Sequence, residues 1–348
     1  MPPEAPPSPL RLTLDADALV ANWRALDRLS GAARAGAAVK ADAYGLGAVR
    51  VVQVLSSAGC NDFFVAHWGE VAPLLDRIDP GRIAVLHGPL TAADAAYARA
   101  AGVRPVINSL HQAALWQEAG GGLCDLMVDT GINRLGLPLE ALSDPLIQGL
   151  TIDVLHSHLA SAEEDVPLNA LQQARWNAAR GQIAHRRASL ANSAGILLGA
   201  DYHGDLTRPG IALYGGVPCA ALAGTIRQVA RPQAAIMQVR TVAAGEGIGY
   251  NSTFVGDRDL RAGIVSLGYA DGYLRCWSGL GTLRTASGAP LPVLGRVSMD
   301  MTVIDLSAAP EAGEGDWVEA DYALPEAAAR TGLSQYELLT LLGRRFAR

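Results

Sequence analysis

The sequence is poor in cysteine and in charged residues, and each shortage excludes a class of protein. Its four cysteines, Cys60, Cys124, Cys219 and Cys276, lie far apart without a C-x-x-C pair, so neither a zinc site nor a disulfide framework is indicated. Charged residues make up 18% of the chain, the net charge is -6, and no lysine and arginine cluster of the kind that binds nucleic acid or anionic lipid occurs. We therefore expect reduced thiols and no nucleic-acid partner.

Long apolar runs are also missing, and none would span a bilayer. The Pro-rich residues 1–9 lack the basic and apolar regions of a signal peptide, and we expect them to form a disordered leader. The hydrophobic fraction of 50% is typical of a compact globular protein, and 348 residues predict two domains. We expect a soluble, cytoplasmic protein that does not bind membranes.

Over the first two thirds of the chain, apolar segments alternate with amphipathic segments of helix length. Strands are predicted at 37–39, 63–66, 83–86, 105–107, 123–128, 152–156, 189–192 and 206–211. Helices are predicted at 15–29, 47–57, 91–101, 110–119 and 162–185. Because strict alternation implies parallel pairing with right-handed crossovers, eight units predict an α/β fold, a (β/α)8 TIM barrel over residues 10–230. An open doubly wound sheet is the alternative, but residues 45–50 lack the last glycine of the dinucleotide-binding fingerprint.

The pattern changes after residue 230. Strands are predicted at 233–243, 262–267, 280–284, 290–294 and 301–305, with turn residues and no helix-length segment between them. Residues 323–348 should add one or two helices, entered through Pro325. The second domain, residues 231–348, is therefore expected to be mainly β.

One segment places an ammonium group in an unusual position. In V-K-A-D-A-Y-G-L-G, residues 39–47, a single lysine, Lys40, follows an apolar run where a strand should pass into a helix. Because lysine is costly to desolvate, one interpretation is a side chain that extends from the strand end to solvent. The other is an amine whose pKa is lowered in a pocket, so that it forms a Schiff base with a carbonyl cofactor.

Further polar residues follow the later strands, at the end of a barrel where the loops converge. N-S-A-G at 192–195 and R-P-G-I at 208–211 offer a hydroxyl and backbone amides to an anion, although each is also typical of an ordinary N-cap or strand start. Arg208 cannot deprotonate and so can only donate. His156 and His158 share one face of a strand, which leaves a metal pair as an alternative, without an evident third ligand.

These segments resemble, together and in order, the alanine racemases, which use pyridoxal 5'-phosphate (PLP). The resemblance runs from about residue 10 to the end of the chain. It includes D-T-G-I-N-R-L-G at 129–136, G-Y-N-S-T-F at 249–254, G-Y-A-D-G-Y at 268–273 and G-R-V-S-M-D at 295–300.

The resemblance implies a role for each matching residue. Lys40 carries PLP and is one catalytic base, and Tyr250 is the other, entering from the partner subunit of a homodimer. Arg134 and Met299 bind the substrate, alanine. The implied cofactor-binding residues besides Lys40 are Tyr44, Leu86, His158, Asn192, Ser193, Arg208, Gly210, Ile211 and Tyr336. Residues at the entrance or in supporting positions are Tyr269, Arg275, Arg296 and Asp300, and no metal is expected.

The implied reaction interconverts L-alanine and D-alanine through two bases on opposite faces of Cα, either to supply D-alanine for peptidoglycan or to catabolise it. Arg208 against the pyridine nitrogen would keep that nitrogen unprotonated, which favours reprotonation of Cα over transamination. The alternatives are a related PLP-dependent decarboxylase, a non-catalytic PLP-binding barrel and a metal-dependent barrel hydrolase. One position departs from the family pattern: Met127 stands where many relatives have a lysine. Arg134 must then be oriented by Asn133, another residue or a bound anion.

Overall fold

The chain forms two compact units in a computed structural model that describes residues 6–347. We call residues 16–227 the barrel unit, and residues 1–15 with 228–348 the antiparallel unit. This division differs from the expected boundary at residue 10, because the strand Leu10–Leu14 pairs antiparallel with Ala230–Val242. Its side chains are alternately buried and exposed, as in a half-buried antiparallel strand.

The predicted leader lies partly outside the described residues. Among those that are described, the Ser8 hydroxyl donates a hydrogen bond to the carbonyl of Arg345 (3.0 Å). The carbonyl of Pro9 accepts one from the backbone N–H of Ala235 (2.9 Å). Residues 8 and 9 therefore continue the edge of the antiparallel sheet.

Eight parallel strands make up the barrel unit, as predicted. They are Arg34–Ala35 continued by Ala37–Ala38, Phe63–Val65, Ile83–Val85, Arg104–Ile107, Leu123–Met127, Thr151–His156, His185–Ser189 and Leu206–Thr207. The last strand pairs with Arg34–Ala35, and the Arg208 N–H bonds to the Ala191 carbonyl (2.9 Å), so the strand order is cyclic. Gly36 allows the first strand to pass its neighbour, because a β-carbon there would lie 2.8 Å from the Asp62 carbonyl.

Helices connect these strands, and the predicted ones are found within a few residues, except that the last is shorter. Their bounds are Ala16–Leu29, Ala48–Ala58, Ala92–Ala101, Leu110–Glu118, Pro145–Gln148 and Pro167–Arg180, and Lys40–Tyr44 forms a left-handed turn. The last helix was predicted at 162–185 but starts at Pro167, whose fixed φ suits a first helical turn, and stops before Gly181. Among residues 6–347, no helix is both long and apolar enough to cross a membrane.

The seventh strand was predicted at 189–192 and lies instead at His185–Ser189. The sequence of this strand, H-R-R-A-S, is polar and lacks the apolar run by which strands were predicted. Arg187 is nevertheless partly buried, and its guanidinium contacts the carboxylates of Asp62 (2.9 Å) and Asp153 (2.6 Å). A charged side chain inside the barrel thus replaced the apolar residue that the pattern requires.

Arg187 belongs to an ionic cluster in the barrel interior. Arg104, almost fully buried, contacts Asp62 (3.1 Å), Asp125 (3.3 Å) and Asp153 (3.5 Å). Burial opposes ionisation of Asp125, but Arg104 and a hydrogen bond from His156 outweigh it and hold its pKa below the usual value. An apolar cluster in the same unit comprises Phe64, Ala84, Val106, Met127, Val154 and Leu206.

The antiparallel unit contains a seven-stranded sheet. Its order is Leu10–Leu14, Ala230–Val242, Leu260–Val265, Thr302–Asp305, Pro290–Leu294, Thr282–Arg284 and Trp317–Ala320. The long strand Ala230–Val242 also pairs with Trp317–Ala320, which closes the sheet. A hairpin, Gly247–Ile248 with Phe254–Val255, and two helices, Leu324–Thr331 and Gln335–Thr340, complete the unit.

We predict that Arg104→Leu lowers the free energy of unfolding by about 3–5 kcal/mol, because it leaves the buried Asp125 carboxylate without its cation. Arg34→Leu is the matched control: Arg34 also pairs with an aspartate, Asp27 (3.1 Å), but its side chain is 67% exposed. That control should lower the free energy of unfolding by less than about 1 kcal/mol. Urea unfolding followed by circular dichroism measures both, and equal losses would contradict the prediction.

Candidate active site

Lys40 is the only lysine in the chain and follows directly on the first barrel strand. Its side chain is partly buried. Burial lowers the pKa of its amine, the Arg134 guanidinium lowers it further, and the Glu70 carboxylate opposes both. An amine in this environment loses its proton more readily than an exposed lysine does, as Schiff-base chemistry requires.

The residues after Lys40 form a left-handed turn. Ala41, Asp42, Ala43 and Tyr44 have φ between 53° and 56°, a conformation that costs a non-glycine residue about 1–2 kcal/mol. Hydrogen bonds hold the turn: the Ala43 N–H donates to the Val39 carbonyl (2.8 Å), and the Asp42 carboxylate accepts from the N–H of Ala48 (2.7 Å). Strain of this kind persists only where the surroundings fix it, and it is common at functional sites.

The turn leads to Tyr44, whose buried hydroxyl lies against Gly210. A β-carbon on residue 210 would fall onto that hydroxyl, so glycine is required for this approach. Ser193 lies at the same place, since its Oγ accepts hydrogen bonds from the N–H groups of Gly210 (2.9 Å) and Ala212 (3.3 Å). Burial raises the pKa of Tyr44 to about 12, so the phenol stays protonated and can donate to an anion.

Other predicted residues of this region have structural contacts. Ile211 is buried, and the Asn192 side chain accepts a hydrogen bond from the Gly195 N–H (2.9 Å), as in an ordinary cap. Leu86 packs against the apolar cluster of the barrel unit. Tyr214, which we did not predict, packs on the ring of Tyr44 (4.9 Å between centroids). Tyr214 is the seventh residue of R-P-G-I-A-L-Y-G at 208–215, and an aromatic residue within that motif was the signal that could have indicated it.

Arg208 is buried, and its guanidinium donates hydrogen bonds to the Ser189 hydroxyl and the Ser157 carbonyl. Burial lowers its pKa to about 10, with Asp125 opposing, so the group stays charged at neutral pH. Burial and the charges of Arg208, Arg134 and Lys40 lower the pKa of His158 to about 3. His158 is therefore a neutral imidazole close to three cationic side chains.

His156 has different neighbours from His158. Its Nε2 lies 3.1 Å from the Asp125 carboxylate, and burial lowers its pKa to about 4 despite that partner. Within residues 6–347, no group of three His, Cys, Asp or Glu side chains is arranged to hold a metal ion. His156, the last residue of the strand Thr151–His156, thus contacts the ionic cluster, and His158, two residues beyond the strand, lies near Lys40.

The loop that carries Arg134 is organised by Asp129. One carboxylate oxygen of Asp129 accepts hydrogen bonds from Gly131 (2.7 Å), Ile132 (3.0 Å) and Asn133 (3.2 Å), and the other accepts from Arg134 (3.0 Å), all at backbone N–H groups. Asn133 itself takes a left-handed conformation with φ 53°. Asp129 therefore fixes the backbone of Arg134, while Met127 is part of the apolar cluster.

The remaining predicted residues lie in the antiparallel unit. Tyr250 follows the first strand of the short hairpin, and its side chain is 65% exposed. The loops of Tyr269 and Met299 pack together: the Met299 carbonyl accepts a hydrogen bond from the Ala270 N–H (3.0 Å), and a β-carbon on Gly268 would fall onto that carbonyl.

Supporting residues surround these two loops. The Arg275 guanidinium lies 5.3 Å from the centre of the Tyr269 ring. The carboxylate of Asp300 pairs with Arg345 (2.6 Å), which also pairs with Asp271 (2.7 Å). The other two predicted residues, Arg296 and Tyr336, have exposed side chains.

Two family models match the chain. The alanine racemase N-terminal domain covers residues 14–218, and the alanine racemase C-terminal domain covers residues 229–348.

The chain belongs to the alanine racemase family. A catabolic alanine racemase of Agrobacterium fabrum is 42% identical across 97% of this chain and 91% of the relative. A biosynthetic alanine racemase of the same organism is 40% identical across 98% and 93%. A crystal structure of alanine racemase from Bartonella henselae with covalently bound pyridoxal phosphate matches with a TM-score of 0.87 at 34% identity, covering 99% of both chains. The expected family and fold are thus confirmed.

The racemase resemblance did not reveal one residue near Lys40. The Glu70 carboxylate contacts the backbone of Ala41 and of Ala66, both at 2.7 Å. Glu70 lies in a short 3-10 helix, Trp68–Glu70, where periodicity gives no signal. Its position five residues after the second barrel strand was the only available clue.

We predict that the pKa of Lys40 in the PLP-free protein lies below that of an ordinary lysine and rises in Arg134→Gln, because the variant removes a nearby positive charge. Reductive methylation with 13C-formaldehyde labels only this lysine and the N-terminal amine, so NMR titration measures the pKa directly. Arg24→Gln, an exposed change on the helix Ala16–Leu29, is the control. An unchanged titration in Arg134→Gln would contradict the electrostatic explanation.

Proposed function

We propose that this chain interconverts L-alanine and D-alanine with PLP, using Lys40 and Tyr250 as the two bases. The observation that carries the proposal is the only lysine of the chain, with its lowered pKa, in a left-handed turn that leads to Tyr44 and Gly210. Family membership supports the same activity. We infer a cytoplasmic location, since all four cysteines are free.

The residues around Lys40 fit this cofactor. Tyr44, Ser193 and the backbone at Gly210 and Ile211 would hold the phosphate, because a protonated phenol, a hydroxyl and backbone N–H groups suit an anion. Arg208 would face the pyridine nitrogen as a permanent donor. PLP, when bound, supplies an electron sink that makes the α-proton of an amino acid acidic.

The protein's own groups then hold and move the α-proton. Lys40 Nζ would accept it from D-alanine, and the phenolic oxygen of Tyr250 would accept it from L-alanine on the opposite face. A free tyrosine has a pKa of about 10, so the phenolate must be favoured by neighbours, for which we propose His158 and Arg208. Arg134 and Met299 would bind the substrate carboxylate, and crowding by Tyr250, Tyr336 and Met299 would select a small side chain.

We further propose that Tyr250 reaches the site of Lys40 in the partner subunit of a homodimer. The exposed side chains of the antiparallel unit support this assembly. Tyr250 is 65% exposed, Met237 and Met299 are each 53% exposed, and Met301 is 47% exposed. Met299 and Met301 lie two residues apart in one loop, and exposed apolar side chains that lie together favour contact with a partner.

We expect Tyr250→Phe to keep PLP but to lose racemisation by roughly 10²–10⁴-fold, the usual contribution of a general base. Because Lys40 remains, the variant should still exchange the Cα hydrogen of D-alanine with deuterium from solvent, whereas exchange of L-alanine should be lost. Chiral chromatography with mass spectrometry measures both. Tyr97→Phe, in the helix Ala92–Ala101, provides a matched loss of one phenol outside the proposed site, and equal exchange of the two enantiomers by Tyr250→Phe would overturn the assignment.

Mixing two inactive variants tests the assembly. Lys40→Ala and Tyr250→Phe should each be inactive alone. After mixing and subunit exchange, half of the dimers are mixed and carry one intact site, so activity should return to about a quarter of the wild-type value. If Lys40 and Tyr250 of one chain formed a site, mixing would restore nothing.

A further inference from the structure

Glu70 links the left-handed turn to the second barrel strand. Its Oε1 accepts a hydrogen bond from the backbone N–H of Ala41 (2.7 Å), and its Oε2 accepts one from Ala66 (2.7 Å). Ala66 directly follows the strand Phe63–Val65, and the side chain of Glu70 is only 16% exposed. Both oxygens of one carboxylate are thus used by two segments that are 25 residues apart in the sequence.

The bond to Ala41 fixes the position where the strain begins. Ala41 is the first residue of the turn with positive φ, and its N–H belongs to the peptide bond that joins it to Lys40. At the far end of the turn, Asp42 and Gly47 make the corresponding bonds: the Asp42 carboxylate accepts from Ala48, and its carbonyl accepts from Gly47 (2.9 Å). Two carboxylates therefore hold the turn, one at its start and one at the following helix.

We propose that Glu70 is a positioning residue: by binding the Ala41 N–H it holds the left-handed turn and directs Lys40 and Tyr44 toward the cofactor. The inference rests on the proposed PLP chemistry of Lys40. Nothing in the sequence motifs of the family singled out this residue. A hydrogen bond to a charged acceptor is strong enough to offset much of the strain of one left-handed residue.

Glu70 also provides the negative charge near Lys40. Its carboxylate raises the pKa of Lys40 against burial, Arg134 and Arg208, which lower it. The other titratable groups close to Glu70 are His67, 3.9 Å away, and His87, whose ring lies 6.2 Å from that of His67. Burial lowers the pKa of His87, so this imidazole loses its proton at a pH well below the range in which Lys40 titrates.

The test compares Glu70→Gln with wild-type protein and with Glu118→Gln, an exposed change at the end of the helix Leu110–Glu118. Glutamine keeps the size but has one acceptor oxygen and no charge. We expect the Kd for PLP to rise and kcat to fall by roughly tenfold or more, the effect of losing a charged hydrogen bond, with KM for alanine nearly unchanged. In the PLP-free protein, 13C NMR should show a lower pKa of Lys40, a change that a merely structural loss would not produce.

A separate experiment distinguishes failure of the proposed function from failure of the inference about Glu70. Borohydride reduction of wild-type protein should fix PLP on the peptide that contains Lys40, and failure there would overturn the proposed function. If PLP is fixed on Lys40 of wild-type protein but Glu70→Gln matches Glu118→Gln in the Kd for PLP or in the pKa of Lys40, the proposed function stands and only the inference about Glu70 is wrong.

A second variant tests the inference if Glu70→Gln does not fold. Glu70→Asp keeps the charge and both oxygens but shortens the side chain by one methylene. We expect it to weaken PLP binding several-fold while the pKa of Lys40 stays closer to the wild-type value. A Kd equal to that of wild-type protein would overturn the inference, whatever the fate of Glu70→Gln.

Discussion

The crowding of positive charge around Lys40 is the constraint on which the candidate site depends. Burial, Arg134 and Arg208 all disfavour the ammonium form, and only Glu70 opposes them. The same charges, with burial, keep His158 neutral. A region with two permanent cations and a partly buried amine favours anions, and the proposed ligands, a phosphate ester and an amino-acid carboxylate, both carry negative charge. The same field increases the fraction of Lys40 that is unprotonated and so able to act as a nucleophile or a base.

Such an arrangement requires rigid support, and the barrel unit provides it by buried polar contacts. Arg208 is held by a hydroxyl and a carbonyl, and Asp125 connects the ionic cluster to His156. Buried charges of this kind add little net stability, but removing one partner is costly. We infer that they fix the conformation of the barrel interior more than they stabilise it. The left-handed turn follows the same logic, because its strain is tolerated only while Glu70 and Asp42 hold it.

The sequence predicted the elements whose burial follows from apolar patterning and missed those whose burial depends on charge. All eight barrel strands were expected, but the seventh was displaced because Arg187 is satisfied by Asp62 and Asp153, which are far away in the chain. The strand Leu10–Leu14 pairs with a strand more than two hundred residues later, and a pairing at that separation gives no signal in the local pattern. The left-handed turn could not be predicted, since alanine and tyrosine disfavour this conformation and aspartate adopts it only as a single residue. Motifs indicated the candidate site residues, whereas the hydrogen bonds of Glu70, and those of Asp129 within its motif, became evident only from the structure.

Met127 shows how a change of one charge can be accommodated. The family resemblance places a lysine here in many relatives, sometimes carbamylated, whereas methionine leaves this position without a charge. In this chain Met127 packs with Phe64 and Val154, so its side chain requires no polar partner. The Asp129 carboxylate accepts hydrogen bonds from four backbone N–H groups of the loop that carries Arg134, and these bonds fix the loop from residue 131 to residue 134. A neutral side chain at residue 129 would leave several of these N–H groups without a charged acceptor, so the backbone position of Arg134 depends on Asp129 and needs no charge at residue 127.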